Sequence, residues 1–171
     1  VVTAETSCLG VYGESEAVVA LVARATGADT RALASLESHG ALTCGDGADA
    51  VHVIRSADLA PGGFDIVGST SRIAAVRSTL EGAGAAVATD ERAEIARIEA
   101  GVPAWGREMD AETIPQEAML DELGAISFNK GCYTGQEIVA RVHFRGHVNK
   151  HLRWLTSEAA LREGARVFDA E

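Results

Sequence analysis

The spacing of hydrophobic and polar positions changes period several times along the first half of the chain. Thr6 to Tyr12 is short, apolar and β-prone, and Gly13 turns it. From Ser15 to Thr26, Val18, Val19, Leu21 and Val22 recur at helical spacing, and Gly27 closes the segment. Asp29 is placed to cap a second helix carrying Leu33 and Leu36, which is expected to stop at Gly40. Two strand-like runs, Ala41 to Cys44 and Val51 to Ile54, flank the turn residues Gly45-Asp46-Gly47. Pro61-Gly62-Gly63 predicts a loop and Phe64 to Val67 a further strand. Ser69 or Thr70 caps a helix through Ile73, Val76 and Leu80 that ends at Gly82 or Gly84, and Ala85 to Ala88 reads as a last short strand.

This succession approximates β-α-β-β-α-β, the split arrangement of a ferredoxin-like α+β unit. It carries no group of chemically active side chains and reads as scaffold. The second half differs. Asp90 opens a helix with Ile95 and Ile98 on one face, which ends at Gly101 before Pro103. Trp105, Gly106, Pro115 and Gly124 then mark loops and short pieces, a stretch too long to be a simple connection. It also carries Trp105, Ile114, Met119, Leu120 and Leu123, too much apolar surface for disorder, so a structured loop beside a ligand is expected. Thr134-Gly135-Gln136-Glu137 has the capping-box spelling and leads into Ile138, Val139 and Val142, predicting a helix from Gly135 to near Gly146. His151 to Thr156 is strand-like, and Glu163-Gly164 suggests a turn before Val167 and Phe168. That pair of runs would open a β-domain. The resulting division is 1–88, 89–150 and 151–171.

Composition narrows the classes. The 171 residues are 47% hydrophobic and 23% charged, ordinary for a folded chain with a real core. There is no apolar run of the roughly 18 residues that a spanning helix needs. Val1-Val2-Thr3-Ala4-Glu5 lacks the basic stub of a secretory signal, and Arg166 to Glu171 stops within a strand-like run. Both ends look cut, so a longer protein is expected. The net charge of −10 argues against general binding of nucleic acid or anionic membrane. Charge is uneven, however. Between Asn129 and Arg153 lie Lys130, Arg141, Arg145, Lys150 and Arg153 with three histidines, opposed only by Glu137, a segment suited to a small anion. Three widely spaced cysteines fit neither a disulfide framework nor a metal knuckle, which points to a reducing cytoplasm. Cys8 and Cys44 sit in apolar runs, where a thiol packs as a small hydrophobe.

Cys132 has different neighbours. Lys130-Gly131-Cys132-Tyr133 precedes the expected helix, whose unpaired N–H groups and positive end would join Lys130 in favouring the thiolate. A semi-buried turn cysteine is the competing reading. His143, His147 and His151 are spaced by four, but Gly146 interrupts the helix between them. Solvated or anion-facing histidines are therefore preferred to a metal site. Glu99 stands in the last turn of its helix, the wrong end for an anion, and is either simply exposed or set to accept hydrogen bonds from a ligand.

Lys130-Gly131-Cys132-Tyr133-Thr134-Gly135-Gln136-Glu137 resembles the signature of the YgfZ family, folate-binding proteins related to the glycine-cleavage T-protein. Arg97-Ile98-Glu99-Ala100-Gly101-Val102-Pro103, Ile114-Pro115-Gln116-Glu117, Gly124 to Phe128, Val139-Ala140-Arg141 and Phe144-Arg145-Gly146 extend the likeness over roughly Glu94 to Leu155. The resemblance implies a three-domain architecture around bound tetrahydrofolate: residues 1–88 would be its ferredoxin-like middle domain, 89–150 its folate-binding segment and 151–171 the start of a C-terminal β-barrel. It also implies working roles for Cys132 and Lys130, and ligand contacts from Glu99, Tyr133, Gln136, Arg141 and Arg145. Glu99 would meet the pterin edge and the basic segment the glutamate tail. Iron–sulfur enzymes, including those that modify transfer RNA, or cluster-assembly proteins would be the partners. Three readings follow: a folate-dependent accessory protein, an aminomethyltransferase acting on a lipoyl-bound substrate, and a folate-binding module without turnover. The cysteine in the signature favours the first, since aminomethyl transfer needs no thiol.

Overall fold

The computed structural model describes residues 5–56, 59, 62–162 and 164–168. Contacts divide the chain into two compact units, Val1–Val102 and Pro103–Glu171, so the helix bearing Glu99 groups with the first. The protein is α+β. The first unit comprises β1 (Thr6–Val11), α1 (Ser15–Thr26), α2 (Thr30–Ala34), β2 (Ala41–Cys44), β3 (Val51–Ser56), β4 (Gly63–Ser69), α3 (Thr70–Gly82) and α4 (Asp90–Glu99). Its sheet is antiparallel throughout, in the order β1-β4-β3-β2.

Alternation along the strands decides which side is covered. Leu9 and Val11 of β1, Phe64 and Ile66 of β4, Val51 and Val53 of β3, and Leu42 and Cys44 of β2 share one face by register. They form the core with Val18, Val19 and Val22 of α1, Leu33 of α2, and Ile73, Val76 and Leu80 of α3. Phe64, Ile66, Leu33 and Val22 are fully buried. Caps set the helix starts: the Asp29 carboxylate accepts the Ala32 N–H at 2.8 Å, and the Ser69 hydroxyl accepts that of Arg72 at 3.3 Å. Gly27, at φ +79°, ends α1 in the left-handed conformation that glycine adopts without strain. On the opposite sheet face Tyr12 lies across Gly63 and Gly10, its hydroxyl donating to Asp65 at 2.8 Å and within 3.0 Å of the Ser56 hydroxyl.

Several expectations change. The three strands expected before α3 are present, but Ala85–Ala88 forms no strand. Instead the Ala85 N–H bonds the Leu80 carbonyl, and a run with one exposed valine buries too little to hold a strand. The helix capped by Asp29 ends at Ala34 rather than Gly40, because its Leu33 alone is fully buried. Cys8, expected inside, is exposed, since its register against Val67 puts it on the face away from the helices. In α4 no residue is buried, and Ile95 and Ile98 are both about half exposed.

The second unit is mostly turns, with a 3₁₀ turn at Pro115–Ala118 and one helix, α5 (Gln136–Arg145). Its apolar loop is structured, as expected. Ala118 and Val139 are buried, and buried Gln116 donates its amide to the Val139 carbonyl at 2.8 Å, tying the turn to α5 across 23 positions. The Thr134 capping box does not form. Gly135 is the N-cap at φ +85°, with no side-chain cap, and the Gln136 side chain instead accepts the Tyr133 N–H at 2.9 Å. No described residue from His151 to Phe168 is in a strand, because no neighbouring strand among the described residues takes up the backbone donors and acceptors. Trp154, Leu155, Leu161, Val167 and Phe168 are largely exposed there. Pro61 of the predicted loop, Glu163 of the predicted turn, and the Val1–Ala4 and Asp169–Glu171 ends lie outside the described residues. Among the described residues no helix is long and apolar enough to cross a membrane.

Candidate functional site

The signature runs through an open turn into α5. The backbone bends at Gly135, a conformation that residues with a Cβ rarely adopt, and a Cβ there would meet nothing within 4 Å. Cys132 lies in this turn and is exposed. The Lys130 ammonium sits 4.6 Å from the Tyr133 ring centroid, a cation–π contact that draws it toward the aromatic face. Tyr133 and Gln136 are half-buried and joined by the 2.9 Å bond, so the Gln136 oxygen is engaged in shaping the turn while its amide nitrogen remains available. Lys130, Cys132, Tyr133 and Gln136 are thus brought together, as their adjacency in sequence requires.

Arg141 and Arg145 follow one turn apart on α5. Both are exposed, and neither makes an ion pair or side-chain hydrogen bond among the described residues. Arg145 and His143 occupy the last turn, where positive charge suits the helix end. Glu99 is the final residue of α4 in the first unit, exposed, with Gly101 turning the chain at φ +71° just beyond it. The neighbouring Arg97 grips Glu94 at 2.7 Å and the Val102 carbonyl, which fixes the end of α4 and leaves the Glu99 carboxylate outside that network. The thiols are not equivalent. Partial burial and the charge of Asp65 push the Cys8 thiol above its ordinary pKa, and Cys44 is buried.

Two features escape sequence reading. Phe128 stacks on His143 at 3.7 Å between centroids and 18° between planes, with Phe144 edge-on to His143 at 4.7 Å. Nothing in the separation of Phe128 from α5 signals this contact. The second is an open cavity of about 310 Å³ where Glu108, Asp110, Glu112 and Glu117 face Lys150 and His151. Three of these carboxylates build turns: Glu108 accepts the Ala104 N–H, Asp110 those of Glu112 and Thr113, and Glu117 that of Ile114. The Thr113 hydroxyl, donating at 2.8 Å, is the main cause of an Asp110 pKa below the usual carboxylate range. The Asp110-x-x-Thr113 and Ile114-x-x-Glu117 spacings were the signals available. The His151 ring bonds the Leu152 carbonyl at 2.8 Å through Nδ1 and lies 3.4 Å from a Glu122 oxygen through Nε2.

No protein-family model matches the chain. Over 62 residues the chain is 53% identical to the tRNA-modifying protein YgfZ of Hamiltonella defensa subsp. Acyrthosiphon pisum (strain 5AT). That segment is 36% of this chain and 18% of the relative's length.

Proposed function

We propose that the chain, similar to a YgfZ protein over that segment, works as a tetrahydrofolate-binding accessory protein for iron–sulfur enzymes, among them enzymes that modify transfer RNA. The observation that carries this reading is the exposed Cys132 in an open glycine-flanked turn, with Lys130 and Tyr133 beside it. An accessory role in thiol or cluster chemistry uses such a thiol, and aminomethyl transfer does not. The name of the relative, a tRNA-modifying protein, is consistent with the reading.

The donor set suits folate. Taken unit by unit, the exposed Glu99 carboxylate of the first can accept paired N–H donors such as those of a pterin edge, and the exposed Arg141 and Arg145 guanidinium groups of the second can take carboxylates such as those of a glutamate tail. When bound, tetrahydrofolate supplies ring nitrogens that carry a one-carbon unit. The Tyr133 ring and the Gln136 amide nitrogen offer further contacts at the signature turn. Lys130, held over the Tyr133 ring, keeps a positive charge in the turn that holds Cys132.

Calorimetry of tetrahydrofolate binding by the full-length protein tests this. Glu99→Gln keeps the shape but turns an acceptor into a donor facing donors, expected to cost about 1–3 kcal/mol. Arg141→Ala and Arg145→Ala are expected to weaken binding most at low salt, because exposed charges are screened over about 8 Å at physiological ionic strength. Wild-type affinity in Glu99→Gln would refute the pterin role. Sustained methylene-tetrahydrofolate formation from an aminomethylated lipoyl carrier would favour the transferase.

A further inference from the structure

The exposed side of α5 carries one large group that the folate reading leaves unused, Phe144, beside the two arginines it assigns to the folate tail. By helical spacing Arg141, Phe144 and Arg145 share one face, and Glu137 is the single acidic residue there. Phe144 is 69% exposed although it is the largest apolar side chain of the helix. It also belongs to a ring cluster, in T-shaped contact with His143 at 4.7 Å and 6.2 Å from Phe128. A largely exposed ring between two exposed guanidinium groups, neither ion-paired among the described residues, sets an aromatic surface and two phosphate-sized positive sites within about one helical turn.

We infer that this face of α5 is a stacking platform for a short stretch of single-stranded nucleic acid, one base lying on Phe144 and the flanking phosphates on Arg141 and Arg145. Every base has a π-face, and aromatic side chains interleaved with cations are the recurrent means of holding unpaired strands. An acidic peptide would satisfy the arginines and leave the ring unused. An anionic membrane would need a longer apolar stripe than Ile138 and Phe144 provide. The net charge of −10 opposes binding of long polyanions, so contact is confined to a few nucleotides and is strongly dependent on salt.

Fluorescence anisotropy of a labelled oligouridine of about 12 nucleotides, titrated with full-length protein across a salt series, is the test. Binding is expected at low salt. Phe144→Ala is expected to weaken it about tenfold or more with the salt slope unchanged, and Phe144→Trp to restore it. The Arg141→Ala, Arg145→Ala double variant is expected to lower the slope of log affinity against log salt by about 1.4. Absence of binding at low salt, equal affinity for a base-free polyphosphate, or indifference to Phe144→Ala would each overturn the inference. So would binding to anionic phospholipid vesicles but not to the oligonucleotide. Tetrahydrofolate calorimetry on Phe144→Ala, expected to match wild type, separates failure here from failure of the folate reading.

Discussion

Gln116 joins the Pro115 turn to α5, and three substitutions there separate what its two polar atoms do. Its amide nitrogen donates to the Val139 carbonyl at 2.8 Å, while its oxygen is buried without a partner among the described residues. Gln116→Ala removes the bond, worth about 1 kcal/mol, and buried methylene at about 0.8 kcal/mol. A loss of about 2–3 kcal/mol is expected once the residual cavity is added. Gln116→Leu loses the same bond but also removes the orphaned oxygen and keeps the volume, so it is expected within about 1 kcal/mol of wild type. Gln116→Glu is the sharpest case. Protonated, its hydroxyl donates to Val139 as the amide does. Ionised, it faces a carbonyl with a buried charge. Its folded pKa is therefore raised above the unfolded value of about 4.3. Stability near that of wild type is present below the unfolded pKa. It is lost as pH rises toward and through the folded pKa, by about 1.4 kcal/mol for each pH unit that separates the two. Urea unfolding of the three variants between about pH 5.5 and 8 measures this. Equal damage from Leu and Ala, or a Glu variant whose deficit ignores pH, would refute the assignment of donor and orphan.

Other expectations follow from the same structure. In limited iodoacetamide labelling of the folded protein, Cys132 is expected to react before Cys8, whose thiol is pushed up by burial and Asp65, and before buried Cys44; mass spectrometry giving Cys132 last would contradict this. Asp110 is held below the usual range, so its contribution is present above the unfolded value of about 3.9 and fades as pH falls through the lower folded value. Thr113→Val should move its NMR titration back upward. Gly63→Ala would set a Cβ 2.0 Å from the Tyr12 ring, forcing Tyr12 off its bonds to Asp65 and Ser56. A loss of about 2–4 kcal/mol is expected, reduced in a Tyr12→Ala background, as a double-mutant cycle by thermal unfolding would record.

The legible parts of the fold were those with local causes. Valine spacing, Gly27, Asp29 and Ser69 placed the helix starts and the end of α1 because caps and amphipathic faces act within a few residues. The strands at Ala41, Val51 and Phe64 were legible for the same reason. What depends on distant partners was not. Cys8 looked apolar in sequence and is exposed because register, set by β4, assigns it to the outer face. His151 to Thr156 has strand chemistry but no strand to pair with among the described residues. The Thr134 capping box failed because Gly135 adopts a left-handed turn and itself becomes the cap. At the site, the linear signature announced Lys130, Cys132, Tyr133 and Gln136 together. The seating of His143 between Phe128 and Phe144 needed three dimensions.

The claim that the exposed thiol of the signature turn is the working group is tested most directly by complementation. Full-length protein carrying Cys132→Ala is introduced into a strain lacking the gene, with protein level checked by blot. Activity of iron–sulfur enzymes and the content of thiolated transfer-RNA nucleosides are then measured. An exposed turn cysteine holds little of the core, so normal accumulation is expected with loss of both activities and intact glycine cleavage. Full rescue of the cluster-dependent activities by Cys132→Ala would contradict the account.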